Sequence, residues 1–175
     1  MINFVETLME EIVNKVAQSG LITIDLESYY DDAPRVVFDI KEHLFMGLML
    51  KEKEFREFIK SNDWSVYKDK YISIICSSDA IVPTWAYMLI TSKLEGICKF
   101  CVYGSLDVLE FRFFQNVIDG LDLESYRDKR IVVKGCSNKP VPISAYAYLT
   151  EKLTPIAKSI MYGEPCSTVP IFKKA

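Results

Sequence analysis

The chain has 175 residues, of which 50% are hydrophobic and 26% charged, so it can form a compact domain with a substantial core. Its net charge of −3 comes without a basic stripe, which argues against nucleic acid as the main partner. No apolar run approaches the roughly 18 residues that a membrane span needs. The first residues, which include Glu6, Glu10 and Glu11, lack the basic region of a secretion signal. We therefore expect one soluble, cytoplasmic domain over residues 1–175.

The cysteine content indicates free or metal-bound thiols. The five cysteines are Cys76, Cys98, Cys101, Cys136 and Cys166. An odd number of cysteines in a chain this large does not fit the disulfide framework of a small secreted domain.

The N-terminal part predicts a helix followed by two short strands. Apolar residues recur at helical spacing over residues 5–16, and Gly20 can end that helix. Residues 21–26 and 35–38 are predicted as strands on either side of a polar turn. This helix is expected to cover the core.

A second helix is predicted after these strands. Asp39 and Glu42 have the spacing of a capping box, and an apolar stripe continues to about Ser61. The alternating charges of residues 51–54 are expected to form its solvated face.

The rest of the chain is dominated by one segment that occurs twice. Residues 67–104 and 126–163 share, in the same order, Tyr-Lys/Arg-Asp-Lys, Cys-Ser, Val-Pro, Ala-Tyr, Lys-Leu and Tyr-Gly. The offset is 59 residues, except at Cys-Ser, where Gly135 is gained before the cysteine and the offset is 60. Such a regular pattern of identities indicates an internal duplication.

Each copy predicts a strand, a helix and a second strand. The first copy has strands at 71–76 and 99–103 around a helix that begins at Pro83. The second copy has strands at 130–134 and 158–162 around a helix that begins at Pro142. Two strands joined in this way through a helix are parallel.

The predicted fold class is therefore α/β. We expect a parallel Rossmann-like sheet built from the duplicated βαβ unit, with the N-terminal helix and short strands added. A crossover helix capped by Ser105 and extending to about Ile118 would join the two copies. Strands 71–76 and 130–135 should then be neighbours, with 99–103 and 158–162 outside them.

This arrangement would gather three thiols at one edge of the sheet. Cys76 and Cys136 end the two inner strands, and Cys166 follows the last strand with the same Ser and Val-Pro neighbours. Thiols before helix N-termini have lowered pKa values, and three convergent thiolates suit zinc or an iron–sulfur cluster. We therefore predict Cys76, Cys136 and Cys166 as metal ligands.

The serine after each of these cysteines is a candidate cofactor-binding residue. These residues are Ser77, Ser137 and Ser167. Their hydroxyl and amide groups could contact a bound group or serve as oxyanion donors to a thiol nucleophile. The alternative is that the cysteines are small buried hydrophobic residues.

Two further candidates are weaker. Cys98 and Cys101 form a C-x-x-C beside a strand, where positions three apart point to opposite faces, which favours a core role over a redox role. His43, the only histidine, could supply a ligand or a base, although its position at a helix start favours a structural role. No G-x-G-x-x-G or P-loop motif follows any predicted strand, so no nucleotide is expected.

Three strings resemble the family called domain of unknown function 2480. They are Cys-Ser…Val-Pro-Thr-Trp-Ala-Tyr at 76–87, Lys-Gly-Cys-Ser at 134–137 and Tyr-Gly-Glu-Pro-Cys-Ser-Thr-Val-Pro at 162–170. The resemblance covers nearly the whole chain. Members of this family are often encoded near sulfur-mobilisation genes for iron–sulfur cluster assembly, so the resemblance implies an accessory role beside iron–sulfur assembly proteins.

Three functions remain open from the sequence. The first is a metal- or iron–sulfur-binding accessory protein that passes metal or sulfur to a partner. The second is a thiol-dependent transferase for sulfur or acyl groups, whose base would be His43, a lysine or a carboxylate. The third is a structural or assembly module whose cysteines belong to the core.

Overall fold

The computed structural model of the chain describes residues 20–135 and 138–175. The predicted N-terminal helix, Cys136 and Ser137 lie outside the described residues. The strands are β1 (Leu21–Ile24), β2 (Arg35–Asp39), β3 (Tyr71–Ile75), β4 (Phe100–Tyr103), β5 (Arg130–Val133), β6 (Ser159–Glu164) and β7 (Ser167–Lys173). The α-helices are α1 (Glu52–Ser61), α2 (Thr84–Leu94), α3 (Leu106–Asp119) and α4 (Ile143–Leu153). The α/β fold class is confirmed.

The chain divides into two compact units, each with its own sheet. The first unit contains residues 20–26, 122–135 and 150–175 of the described chain. Its sheet has the order β1-β5-β6-β7, in which β1, β5 and β6 are parallel and β7 is antiparallel to β6. Strand β5 lies between β1 and β6, and its residues Ile131, Val132 and Val133 are apolar and buried, as expected for a strand covered on both faces.

The second unit contains residues 27–121 and 138–149. Its sheet is the parallel set β2-β3-β4, with β3 in the centre. Ile72 and Ile74 of β3 are buried, and they belong to a core cluster that includes Phe55 of α1 and Ile90 of α2. This core fixes the loops that follow the three strands, where the candidate site lies.

The prediction of one sheet with strands 71–76 and 130–135 side by side is wrong. β3 has β2 on one edge and β4 on the other, while β5 lies between β1 and β6. The short strand β2 therefore occupies the place beside β3 that the prediction gave to β5, and β1 occupies the place beside β5 that it gave to β3. Because a strand has only two edges, β3 and β5 cannot pair with each other.

Local structure recurs at the predicted offset of 59 residues. β3, α2 and β4 begin 59 residues before β5, α4 and β6. Asp69 and Asp128, just before β3 and β5, have φ values of 58° and 56°. Their amides donate to the carbonyl oxygens of Ile97 and Ile156 at 3.1 and 2.9 Å. The two segments thus share unusual backbone geometry as well as sequence.

The helix predicted from Asp39 to Ser61 is interrupted. A single 3-10 turn, Ile40–His43, follows β2, and the α-helix begins only at Glu52. Met46 and Gly47 lie between them with φ values of 53° and 71°, a left-handed conformation that an α-helix cannot contain. The connecting residues form a loop at the carboxyl end of β2. No helix in the described ranges is long and apolar enough to cross a bilayer.

Candidate functional site

Cys76 lies directly after β3, at the carboxyl end of the central strand of its sheet. Its thiol is free and half-buried, and Sγ donates to the carbonyl oxygen of Ser78 at 3.5 Å. In open α/β sheets, ligands bind in the crevice outside the carboxyl ends of the strands. The predicted position of Cys76 at a strand end is therefore confirmed, while its metal role stays a prediction.

Asp39 fixes the backbone beside Cys76. Its Oδ1 accepts hydrogen bonds from the amides of Ser77 and Lys41, each at 3.0 Å. Burial raises the pKa of Asp39, but these hydrogen bonds outweigh it and the net pKa lies below the usual value. The ionised carboxylate thus joins the end of β2 to the loop after β3. Ser77 uses its backbone amide in this contact, and its predicted cofactor role stays a prediction.

Two tyrosines lie on the same side of the sheet edge. The rings of Tyr87 and Tyr103 meet edge to face, with centroids 4.9 Å apart. The pKa of the Tyr87 hydroxyl is raised, mainly by burial and further by Tyr103, Cys76 and Asp39. Tyr87 is therefore a neutral hydrogen-bond donor at this edge.

Exposed apolar side chains surround this edge. They lie in the loops after β2 and β3, on α2 and at the end of β4, and they are Met46, Leu48, Met49, Ile81, Met88 and Tyr103. Met49 forms isolated bridges with Phe45 and Ile81, and the Ser78 hydroxyl donates to Gly47 O at 2.8 Å, which ties the two loops together. We call these six residues the apolar rim. The rim was not predicted from the sequence, because residues 46–49 lie in a segment that the sequence predicted as a helix.

The segment around Cys166 differs from the other two Cys-Ser segments. Cys166 is exposed in the turn between β6 and β7, and Ser167 begins β7 opposite Glu164. The Val-Pro pair that precedes α2 lies here inside a strand, at Val169 and Pro170. Similar local sequence therefore gives a hairpin in this place.

β3 and β5 belong to different sheets, so the strand pairing from which the three-thiol site was predicted is absent. The site itself is not tested, because Cys136 and Ser137 lie outside the described residues. Within residues 20–135 and 138–175, no group of three or more histidine, cysteine, aspartate or glutamate side chains is placed to hold a metal ion. A site with three protein ligands therefore needs Cys136 or another ligand from beyond these residues. Thiolates suit zinc and iron, so the chemistry of the accessible thiols fits such a metal.

Cys98 and Cys101 line one cavity of about 310 Å³. The prediction that they point to opposite faces is wrong, because β4 begins only at Phe100 and Cys98 precedes it. Burial raises the pKa of the Cys98 thiol to about 11, with a further contribution from Cys101. Burial also raises the pKa of Cys101. Both thiols are thus held in the protonated form.

His43 is packed among aromatic rings. Its ring stacks on Phe58 at 3.8 Å and on Phe38 at 5.6 Å between centroids. Burial lowers the pKa of the imidazole, so the ring is neutral at physiological pH. These contacts give His43 a packing role in the core of the second unit.

Comparison with known proteins identifies one family. The family model described as "Protein of unknown function (DUF2480)" matches residues 10–174. No curated protein and no solved structure matches the chain. The family match extends over both units, so it does not depend on a single motif.

Proposed function

Since the chain belongs to the DUF2480 family, we propose that it is a metal- or iron–sulfur-binding accessory protein in cytoplasmic iron–sulfur cluster assembly. The proposed ligands are Cys76, Cys136 and Cys166, with Ser77, Ser137 and Ser167 beside them. The bound ion would be zinc or iron, and the partners would be iron–sulfur assembly proteins. We further propose that the two βαβ segments derive from one duplicated Rossmann-like unit, which their matched hydrogen bonds support.

The observation that carries the proposal is the setting of Cys76. Its thiol is free and half-buried at the carboxyl end of a central parallel strand, beside a loop fixed by Asp39. A fixed backbone keeps a ligand in place without a large loss of conformational entropy on binding. Cys166 adds a second accessible thiol. By contrast, the raised pKa values of Cys98 and Cys101 disfavour the thiolate that a metal requires.

Metal analysis of single cysteine variants tests this function. The protein is purified without chelators, in the absence of oxygen, and its zinc and iron contents are measured by mass spectrometry. We expect Cys76→Ser, Cys136→Ser and Cys166→Ser each to lose at least about nine-tenths of the metal, because removing one thiolate weakens a three-ligand site strongly. Cys98→Ser and Cys101→Ser are the matched controls and should keep the parent's content. Equal metal content in all five variants, or none in the parent, would refute the proposal.

The apolar rim favours a second candidate function, that of an assembly module which binds a partner protein. Its side chains are exposed, and Ile81 is 88% accessible. Large exposed apolar patches mark interaction sites, and methionines such as Met46 and Met49 adapt to differently shaped partners. This candidate needs no thiol. A variant with all five cysteines replaced by serine would keep partner binding if the rim alone is responsible, and would lose it if bound metal is required.

A further inference from the structure

β4 and β6 correspond to each other by the 59-residue offset, but they differ in what lies along their outer edges. The outer edge of β6 carries β7, which runs antiparallel from Ser167 opposite Glu164 to Lys173 opposite Ser159. The chain thus supplies its own strand to this edge. Lys174, just after β7, completes the contact with an ion pair between its Nζ and Asp128 Oδ1 at 3.1 Å.

β4 has no such partner strand within residues 20–135 and 138–175. Its four residues, Phe100 to Tyr103, contain neither a charged residue nor a proline, the usual means by which proteins protect an edge strand from pairing. Tyr103 is 70% exposed. The backbone N–H and C=O groups along this edge are therefore available to pair with another strand.

A groove lies beside this open edge. Helix α2 packs against β4, and together with the preceding loop they border an open cavity of about 900 Å³. Apolar side chains dominate its lining, including Ile81, Tyr87, Met88 and Tyr103. Met88 of α2 lines the groove and is 67% exposed, so an incoming segment can reach its side chain. Such a volume can accept several side chains of an incoming segment.

An aspartate just before β3 corresponds to the aspartate that Lys174 contacts after β7. Asp128, which pairs with Lys174, has Asp69 as its counterpart in the other segment. Asp69 is exposed and has no ion-pair partner among the described side chains. A basic residue at the carboxyl end of an antiparallel strand on β4 would reach Asp69 as Lys174 reaches Asp128.

We propose that β4 binds an extended segment of a partner protein as an added antiparallel strand. The segment carries apolar side chains that enter the groove beside α2, and a lysine or arginine after its last paired residue contacts Asp69. Strand addition of this kind obtains affinity from backbone hydrogen bonds and specificity from pockets for side chains. The binding needs none of the cysteines, so it is independent of the metal proposal.

The chain's own β7 sequence provides the probe. A fluorescein-labelled peptide of residues 167–174, Ser-Thr-Val-Pro-Ile-Phe-Lys-Lys, is titrated with full-length protein, and binding is followed by fluorescence anisotropy. We expect saturable binding with Kd below about 1 mM. The same peptide with both lysines replaced by glutamate should bind at least about fivefold more weakly, because like charge would then face Asp69.

Three variants locate the binding site. Met88→Glu places a charge in the groove and should weaken binding at least about tenfold. Asp69→Asn keeps a residue that tolerates positive φ and should weaken it about twofold to fivefold. Ile143→Glu is the control, because Ile143 is an even more exposed apolar residue, at the first position of the other helix of the pair, α4. It should bind like the parent.

Three results would overturn the proposal. The peptide fails to bind up to about 1 mM, or Met88→Glu binds it as well as the parent does. Alternatively, sedimentation shows that the protein forms a dimer which Met88→Glu dissociates, in which case the occupant of the edge is a second copy of this chain. Peptide binding by Cys76→Ser should equal that of the parent, so a failure of the metal proposal leaves this result unchanged.

Discussion

Arg35 Nε donates to Glu110 Oε1 at 2.7 Å and so connects β2 with α3. The guanidinium also lies over the rings of Tyr30 and Tyr71, at 4.5 and 4.9 Å from their centroids. The two charged side chains are only 12% and 18% exposed. If one partner were removed, the other would remain a poorly solvated charge.

We therefore predict that Glu110→Ala lowers the free energy of unfolding by about 2–4 kcal/mol. Glu124→Ala is the matched control, because the Arg127–Glu124 pair is 53% and 67% exposed. That change should cost less than about 0.5 kcal/mol, since water already solvates both charges. Urea denaturation of both variants measures the difference, and equal losses would contradict the importance assigned to the Arg35 pair.

The carboxyl group of Asp31 should make the free energy of unfolding depend on pH in the acidic range. Hydrogen bonds from Lys99 Nζ and from the Ala33 amide lower the pKa of its carboxyl group from the ordinary 3.8 to about 2. A folded-state pKa below the unfolded value stabilises the fold above about pH 4, and this contribution is lost as the pH falls through 2. Between these pH values, the parent should lose more stability than Asp31→Asn. Parallel losses in denaturation experiments would contradict this.

The repeated segment was the most predictable part of the fold. Four apolar runs bounded by turn residues became β3, β4, β5 and β6, each within two residues of its predicted bounds. The pairing between them was not predictable, because the predicted strands 21–26 and 35–38 carry no signal of which strand each one joins. Pairing over long sequence distances depends on tertiary contacts, which local periodicity does not encode.

β7 was not predicted from the sequence, for a different reason. Pro170 within residues 167–173 argues against a strand, since proline cannot donate a ladder hydrogen bond. The structure accommodates it on an edge strand, opposite Met161, where the register with β6 shifts.

For the candidate site, the position of Cys76 was predictable from the strand pattern. The apolar rim was not, because Met46 and Gly47 adopt left-handed backbone conformations inside an apparent helix.

The cysteines should differ widely in reactivity. With a pKa of about 11, only about one Cys98 thiol in a thousand is ionised at pH 8. Cys166 is exposed in a turn. We expect iodoacetamide to modify Cys166 at least about tenfold faster than Cys98, as measured by mass spectrometry after timed labelling. Similar rates for the two thiols would mean that the surroundings of Cys98 open readily.

Two glycines with positive φ should differ in their tolerance of alanine. Gly163 has φ +121°, and a Cβ there would lie 2.6 Å from the carbonyl oxygen of Ser167. Gly96 has φ +72°, and a Cβ would meet nothing within 4 Å. Gly163→Ala should therefore destabilise the protein by more than about 2 kcal/mol, and Gly96→Ala by about 1 kcal/mol. Thermal unfolding checks this order; the reverse order would show that the β6–β7 hairpin can relax around the added methyl group.

The position of β1 in its sheet has a consequence for the order of folding during synthesis. β2, β3 and β4 are complete in the growing chain once Tyr103 has been added, whereas β1 must wait for β5. The ion pair between Asp25 and Lys134, which joins the ends of β1 and β5, spans 109 residues. Closing so long a loop is slow compared with local pairing. During refolding, pulsed hydrogen exchange should therefore protect the amides of β3 before those of β1, and on the ribosome the earliest strand to emerge would be among the last to be incorporated.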